Sequence, residues 1–151
     1  MSNQLTPHFS QAELTVTGTG IDNTPDAPHL EALTHLAESL EALRTSVFGG
    51  QAVLIDSAYR SPAVNAAVGG VPNSAHEQGH AADIRCPSFG TPYECAQAIQ
   101  KWADANNVAF DQCIFEENAW VHWSPQNTEF GQRRQYLTFD GTTYTDGIHP
   151  I

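Results

Sequence analysis

Ser74-Ala75-His76-Glu77-Gln78-Gly79-His80-Ala81-Ala82-Asp83 packs two imidazoles and two carboxylates into ten residues, and whatever shapes that stretch constrains the rest of the chain. It carries two incompatible patterns. Residues 76 to 80 spell H-E-x-x-H, in which two histidines one helical turn apart hold a metal and Glu77 serves as general base. Residues 74 to 83 also spell S-x-H-x-x-G-x-A-x-D, in which His76 and Asp83 are the ligands and His80 is incidental. The flanks favour the second. Gly69-Gly70-Val71-Pro72-Asn73 is rich in turn residues, Gly79 costs a helix ~1 kcal/mol against alanine, and Ala81-Ala82-Asp83-Ile84-Arg85-Cys86 runs straight to Pro87. A loop carrying His76 into a short buried strand carrying Asp83 fits these flanks. Solvated polar residues with no metal are the plain alternative, and the convergence of several ligand types argues against it.

The second pattern is similar to that of the zinc D-alanyl-D-alanine carboxypeptidase family, whose group includes lysostaphin-type endopeptidases, vancomycin-resistance dipeptidases, phage L-alanyl-D-glutamate endolysins and the hedgehog domain. Upstream, Tyr59-Arg60-Ser61-Pro62, Asn65 and Val68-Gly69-Gly70-Val71-Pro72-Asn73-Ser74 resemble the family's run into its first histidine. Downstream, Phe110-Asp111-Gln112-Cys113-Ile114-Phe115-Glu116 and Trp120-Val121-His122-Trp123-Ser124 resemble its closing hairpin. Phe9-Ser10-Gln11-Ala12-Glu13-Leu14 resembles its opening. The likeness spans about residues 8–125 in consistent order. It implies an α+β fold of the hedgehog and DD-peptidase type, with a small antiparallel sheet and flanking helices.

The resemblance implies zinc held by His76, Asp83 and His122, leaving a fourth position for water or substrate. In one branch of the family an acidic residue lies three positions before the last histidine ligand; here that position is Ala119. Glu116, at the end of the preceding strand, can approach His122 across a tight hairpin and is the expected general base, with Glu117 a solvated turn residue. Arg60 is expected to orient substrate and stabilise negative charge, with a salt bridge to Asp56 as its structural alternative. Ser74, Tyr59 and Trp120 are expected to contact substrate. His80 is expected near the site's outer shell or on the surface, and Glu77 exposed.

The implied activity is zinc-dependent hydrolysis of peptidoglycan stem-peptide bonds. Removal of terminal D-alanine, cleavage of cross-links and cleavage between L-alanine and D-glutamate all remain open, as does a non-catalytic zinc module of the hedgehog kind. A phage or prophage lysis enzyme is one expected setting. A monomer is expected.

Composition bears on partners. Seventeen acids against six Lys plus Arg give a formal net charge of −11, a surface that repels phosphate backbones and disfavours nucleic acid. No apolar run approaches the roughly 20 residues of a membrane span, and Met1-Ser2-Asn3-Gln4 lacks the pattern of a signal peptide, so synthesis in the cytosol and no membrane partner are expected. Cys86, Cys95 and Cys113 have no C-x-x-C spacing and read as small buried residues.

The 151 residues suit one domain. Ser10 and Glu13 form a capping box. Leu30, Leu33, Leu36, Leu40, Leu43 and Val47 recur at helical spacing, predicting a core helix over 28–48 that Gly49-Gly50 ends. Residues 51–57 read as a buried strand and 61–68 as a short helix. Thr91-Pro92-Tyr93-Glu94 opens a helix to about Asn106 with Ala98, Ile99 and Trp102 inward. Strands are predicted over 110–116 and 119–124, and a terminal hairpin within 131–145.

Overall fold

The computed structural model describes residues 3–151. Two amphipathic helices supply one layer and a sheet the other. Helix α2 (Ala27–Ala42) starts at Asp26, whose side chain accepts from the His29 amide, and buries Leu33, Leu36, Ala37 and Leu40. Its last turn widens into a π-helical segment, Leu43–Val47, closed by Phe48 donating to the Leu43 carbonyl. Gly49 and Gly50 then adopt φ of +63° and +82°, which ends the helix where the sequence predicts. Helix α5 (Pro92–Ala105) begins with the expected capping box on Thr91 and Glu94 and buries Cys95, Ala96, Ile99 and Ala103.

The strands are β1 (Gln4–Thr6), β2 (Phe9–Ser10), β3 (Leu54–Ser57), β4 (Ala82–Arg85), β5 (Phe110–Glu116), β6 (Trp120–Pro125), β7 (Gln135–Phe139) and β8 (Tyr144–Asp146). The first two pair with each other, and the rest form one sheet in the order β3-β4-β6-β5-β7-β8. Short helices α1 (Gln11–Leu14), α3 (Pro62–Ala67) and α4 (Ala75–Gln78) complete the α+β fold. Every pairing is antiparallel except β5 with β7. That exception follows from residues 126–134, which cross the end of β5 and let β7 run alongside it. The amide of Arg134 donates to Phe110 there, and the Arg133 guanidinium clamps Asp111.

Alternation along the strands separates two faces. Ala82, Ile84, Val121, Trp123, Cys113 and Phe115 point toward the helices and are buried with them; the Trp123 indole N–H is satisfied by Ser39 Oγ at 3.0 Å. Asp83, His122, Glu116 and Trp120 belong to the other face, so the helices form the core and leave that face for chemistry. The three cysteines are free and buried.

The segment 51–57 departs from its predicted burial. Only 54–57 form a strand, it lies at the sheet edge, and Leu54 and Asp56 face solvent. An apolar run alone does not report whether a strand has one neighbour or two. Among the described residues no helix is long and apolar enough to cross a membrane.

Candidate metal centre

Backbone geometry decides between the two patterns in the 74–83 stretch. A helix does form, but for one turn only: Ser74 Oγ accepts from the Glu77 amide to cap α4, and Gly79, at φ +80°, ends it in the left-handed conformation. His80 therefore leaves the helical screw before it can stack above His76. Its ring is buried on the far side and pairs with Glu129 at 2.5 Å, in a separate cavity of about 720 Å³ lined by α2 and residues 126–129. The expectation that His80 lies at the surface or beside the site is corrected: it is buried elsewhere, hydrogen-bonded to Glu129. Glu77 is half-buried rather than exposed, accepting from Asn65 Nδ2 at 3.0 Å.

Strand register brings the other candidate ligands together. Asp83 on β4 sits directly opposite His122 on β6, so their side chains share a face and neighbour each other. His76 arrives from α4. Its Nδ1 lies 2.8 Å from the Ala58 carbonyl, which can only accept, so Nδ1 carries the proton and the Nε2 lone pair faces the cluster. The Arg60 amide donates to the His76 carbonyl at 3.0 Å, fixing the same turn from the other side. His76 Nε2 lies 3.2 Å, and His122 Nδ1 3.4 Å, from Asp83 Oδ1. One ligand atom from each of the three residues falls within 4.8 Å of the others.

The donor set passes a test of fit for a cation. Asp83 is 4 % exposed, and its Oδ1 makes no hydrogen bond although two ring nitrogens converge on it. An anionic oxygen, buried without a donor and flanked by two nitrogens, is suited to a small divalent ion. Among the described residues no other His, Cys, Asp or Glu cluster has that compactness.

Around the three lies a cleft of about 680 Å³, with Arg60 on one side, the loop Val68–Ala75 along a rim, and Glu116 and Trp120 on the floor. Arg60 bonds Ser57 Oγ (3.1 Å), Asn65 Oδ1 (3.4 Å) and Asp83 Oδ2 (3.4 Å). Asp56 instead takes Arg85, in two bonds of 2.8 Å, so the alternative role for Arg60 falls away. Buried Asn65 also donates to the Val71 carbonyl, and a Cβ on Gly70 would stand 1.9 Å from its Oδ1. The glycine thus lets the rim close down on Asn65.

Glu116 Oε1 is 3.9 Å from His122 Nδ1, and its side chain is 15 % exposed. Burial pushes its carboxyl up, the His122 ring pulls it down and Asp83 adds to the rise. Glu117 is exposed at the turn, with its carboxylate against Gly141. Ser74 and Trp120 line the cleft; Tyr59 does not. The Tyr59 ring is buried against His29 of α2, 5.3 Å between centroids, because its neighbour Arg60 takes the side of the chain that faces the site.

Residues 7–124 match the model of the family described as Peptidase M15. The chain belongs to that family. The match covers most of the sequence and agrees with the 8–125 span of the resemblance, so a metallopeptidase hydrolase is the class of protein at hand. A search of curated proteins returns no match. The family segment ends before Phe130, Arg133, Phe139 and Tyr144, which also line the cleft. Sequence reasoning did not reach those four; the only signal was the terminal hairpin, whose place beside β5 is not local information.

Proposed function

We propose that the protein is a zinc-dependent peptidase that hydrolyses bonds in peptidoglycan stem peptides. The observation that carries this is the partnerless Asp83 Oδ1 between two imidazoles, in a cleft that also holds a largely buried glutamate and an arginine. His76 through Nε2, Asp83 through Oδ1 and His122 through Nδ1 would hold the ion. When bound, zinc supplies Lewis acidity, polarising a carbonyl and making a water molecule easier to deprotonate.

The chain's own residues supply the rest. Glu116, set beside His122, accepts the proton from the attacking water at a carboxylate oxygen as the C–O bond forms, then returns it to the leaving amine as the C–N bond breaks and the carbonyl is restored. Arg60 lines the cleft, held by Ser57, Asn65 and Asp83, and its remaining N–H groups steady a substrate carbonyl or carboxylate oxygen. Ser74 is occupied with capping α4, so its contribution is to hold the rim. The approach of Glu116 favours an enzyme over a hedgehog-like binding module, which needs no base.

Digestion of purified muropeptides, with mass analysis of the products and with and without chelator, tests the reading and names the bond. Glu116→Gln should keep zinc and fold yet lose turnover by about 10²–10⁴. Glu117→Gln should stay near wild type. Full activity in Glu116→Gln would remove it as the base.

A further inference from the structure

The sheet face that carries the metal ligands does not stop at Glu116. Register places Trp120 of β6 beside Glu116 of β5, Glu116 beside Phe139 of β7, and Phe139 beside Tyr144 of β8. Paired residues project from the same face, so these four side chains form one row across the sheet. A second row runs Asp83, His122, Ile114, Leu137 and Asp146. The floor is ionic at β4 and β6 and carries the base at the end of β5, and along the first row it turns aromatic beyond it. Phe139 and Tyr144 stack at 4.3 Å between centroids, and Tyr144 is 55 % exposed, so a flat ring face is offered to the cleft. Neither β7 nor β8 lies in the family-matched segment 7–124.

We propose that the C-terminal hairpin forms an additional substrate subsite, with Tyr144 on its Phe139 support receiving an aliphatic part of the peptide beyond the scissile bond. It rests on the peptidase reading and deepens it. Two strand steps of about 4.8 Å put Tyr144 roughly 10 Å past Glu116, the span of about three extended residues. A terminal dipeptide held at the metal cannot reach that ring; a longer stem peptide can. The hairpin therefore selects extended substrates, cleaved internally, over a bare D-alanyl-D-alanine end. The occupant is peptide because the row continues without a break from the base on which the scissile bond must sit.

The test uses zinc-loaded protein carrying Glu116→Gln, titrated by calorimetry with stem peptides lengthened one residue at a time on each side, and with the longest one also joined to its N-acetylmuramoyl sugar. Affinity should step up about tenfold at the length that reaches Tyr144, the scale of a small apolar group entering a pocket. The step should vanish in Tyr144→Ala and survive in Tyr144→Phe, and with Glu116 restored the long-to-short ratio of kcat/KM should follow the same pattern. An equal step in Tyr144→Ala, or no step, overturns the subsite. A step that appears only when the sugar is added overturns the peptide occupant in favour of glycan. If muropeptides are bound with the Tyr144-dependent step but never cleaved by the parent protein, the peptidase reading fails and the subsite stands.

Discussion

Asp111 is 0 % exposed and is held by one partner side chain, Arg133, through Nε at 2.6 Å and Nη2 at 2.8 Å. That pair ties the connection 126–134 to the start of β5, and so sets where the terminal hairpin runs. Arg133→Met keeps most of the aliphatic stem but strands a carboxylate in the interior. Removing one member of a buried pair costs about 3–5 kcal/mol. Arg133 is 42 % exposed, so water already screens its head group and the lower end applies. For a chain of this size ~3 kcal/mol corresponds to a fall in Tm of roughly 6–12 °C. Differential scanning calorimetry on wild type, Arg133→Met, Asp111→Asn and the double variant measures it. The double variant should recover a good part of the loss, because the Asp111→Asn change removes the charge that Arg133→Met strands. A fall below about 2 °C in Arg133→Met, or strict additivity in the double variant, would refute the argument that the buried charge is the cost.

Two further outcomes are expected. The protein should bind about one zinc per chain; Asp83→Ala should lose most of that affinity and His80→Ala should retain it, read by zinc titration, whereas the reverse would reinstate the H-E-x-x-H pattern. Burial pushes the Cys95 thiol up to about 11 and those of Cys86 and Cys113 also upward. Iodoacetamide at mildly alkaline pH should therefore modify the native thiols far more slowly than those of the guanidine-unfolded chain, and equal rates would contradict their burial.

Legibility in the sequence followed locality. The caps at Ser10 and Thr91, the leucine stripe of α2 and its glycine stop are all written within a few residues, and all appear as expected. His76 and Asp83 were legible for the same reason, and Gly79 in the left-handed conformation is what makes the two patterns exclusive. His122 was reached only through the family likeness, since its place opposite Asp83 depends on strands far apart in sequence. Tyr59, expected to contact substrate, instead packs into the core, because neighbouring residues on an extended chain face opposite ways and Arg60 takes the side of the site. The apolar half of the cleft was illegible because the β5–β7 pairing is parallel and is set by a connection crossing a strand end, which leaves no local mark.

The placement of the ligands also explains why the centre of a sheet carries them. Asp83 is a buried carboxylate whose Oδ1 has no donor, offset at Oδ2 by the Arg60 guanidinium 3.4 Å away. Such a group opposes folding unless the surrounding framework is stable on its own. Here Asp83 and His122 are fixed by the central β4–β6 pair, whose other face is locked to α2 and α5, while His76 is clamped between Ala58 and Arg60. A cation bound there adds its binding free energy to the stability of the fold.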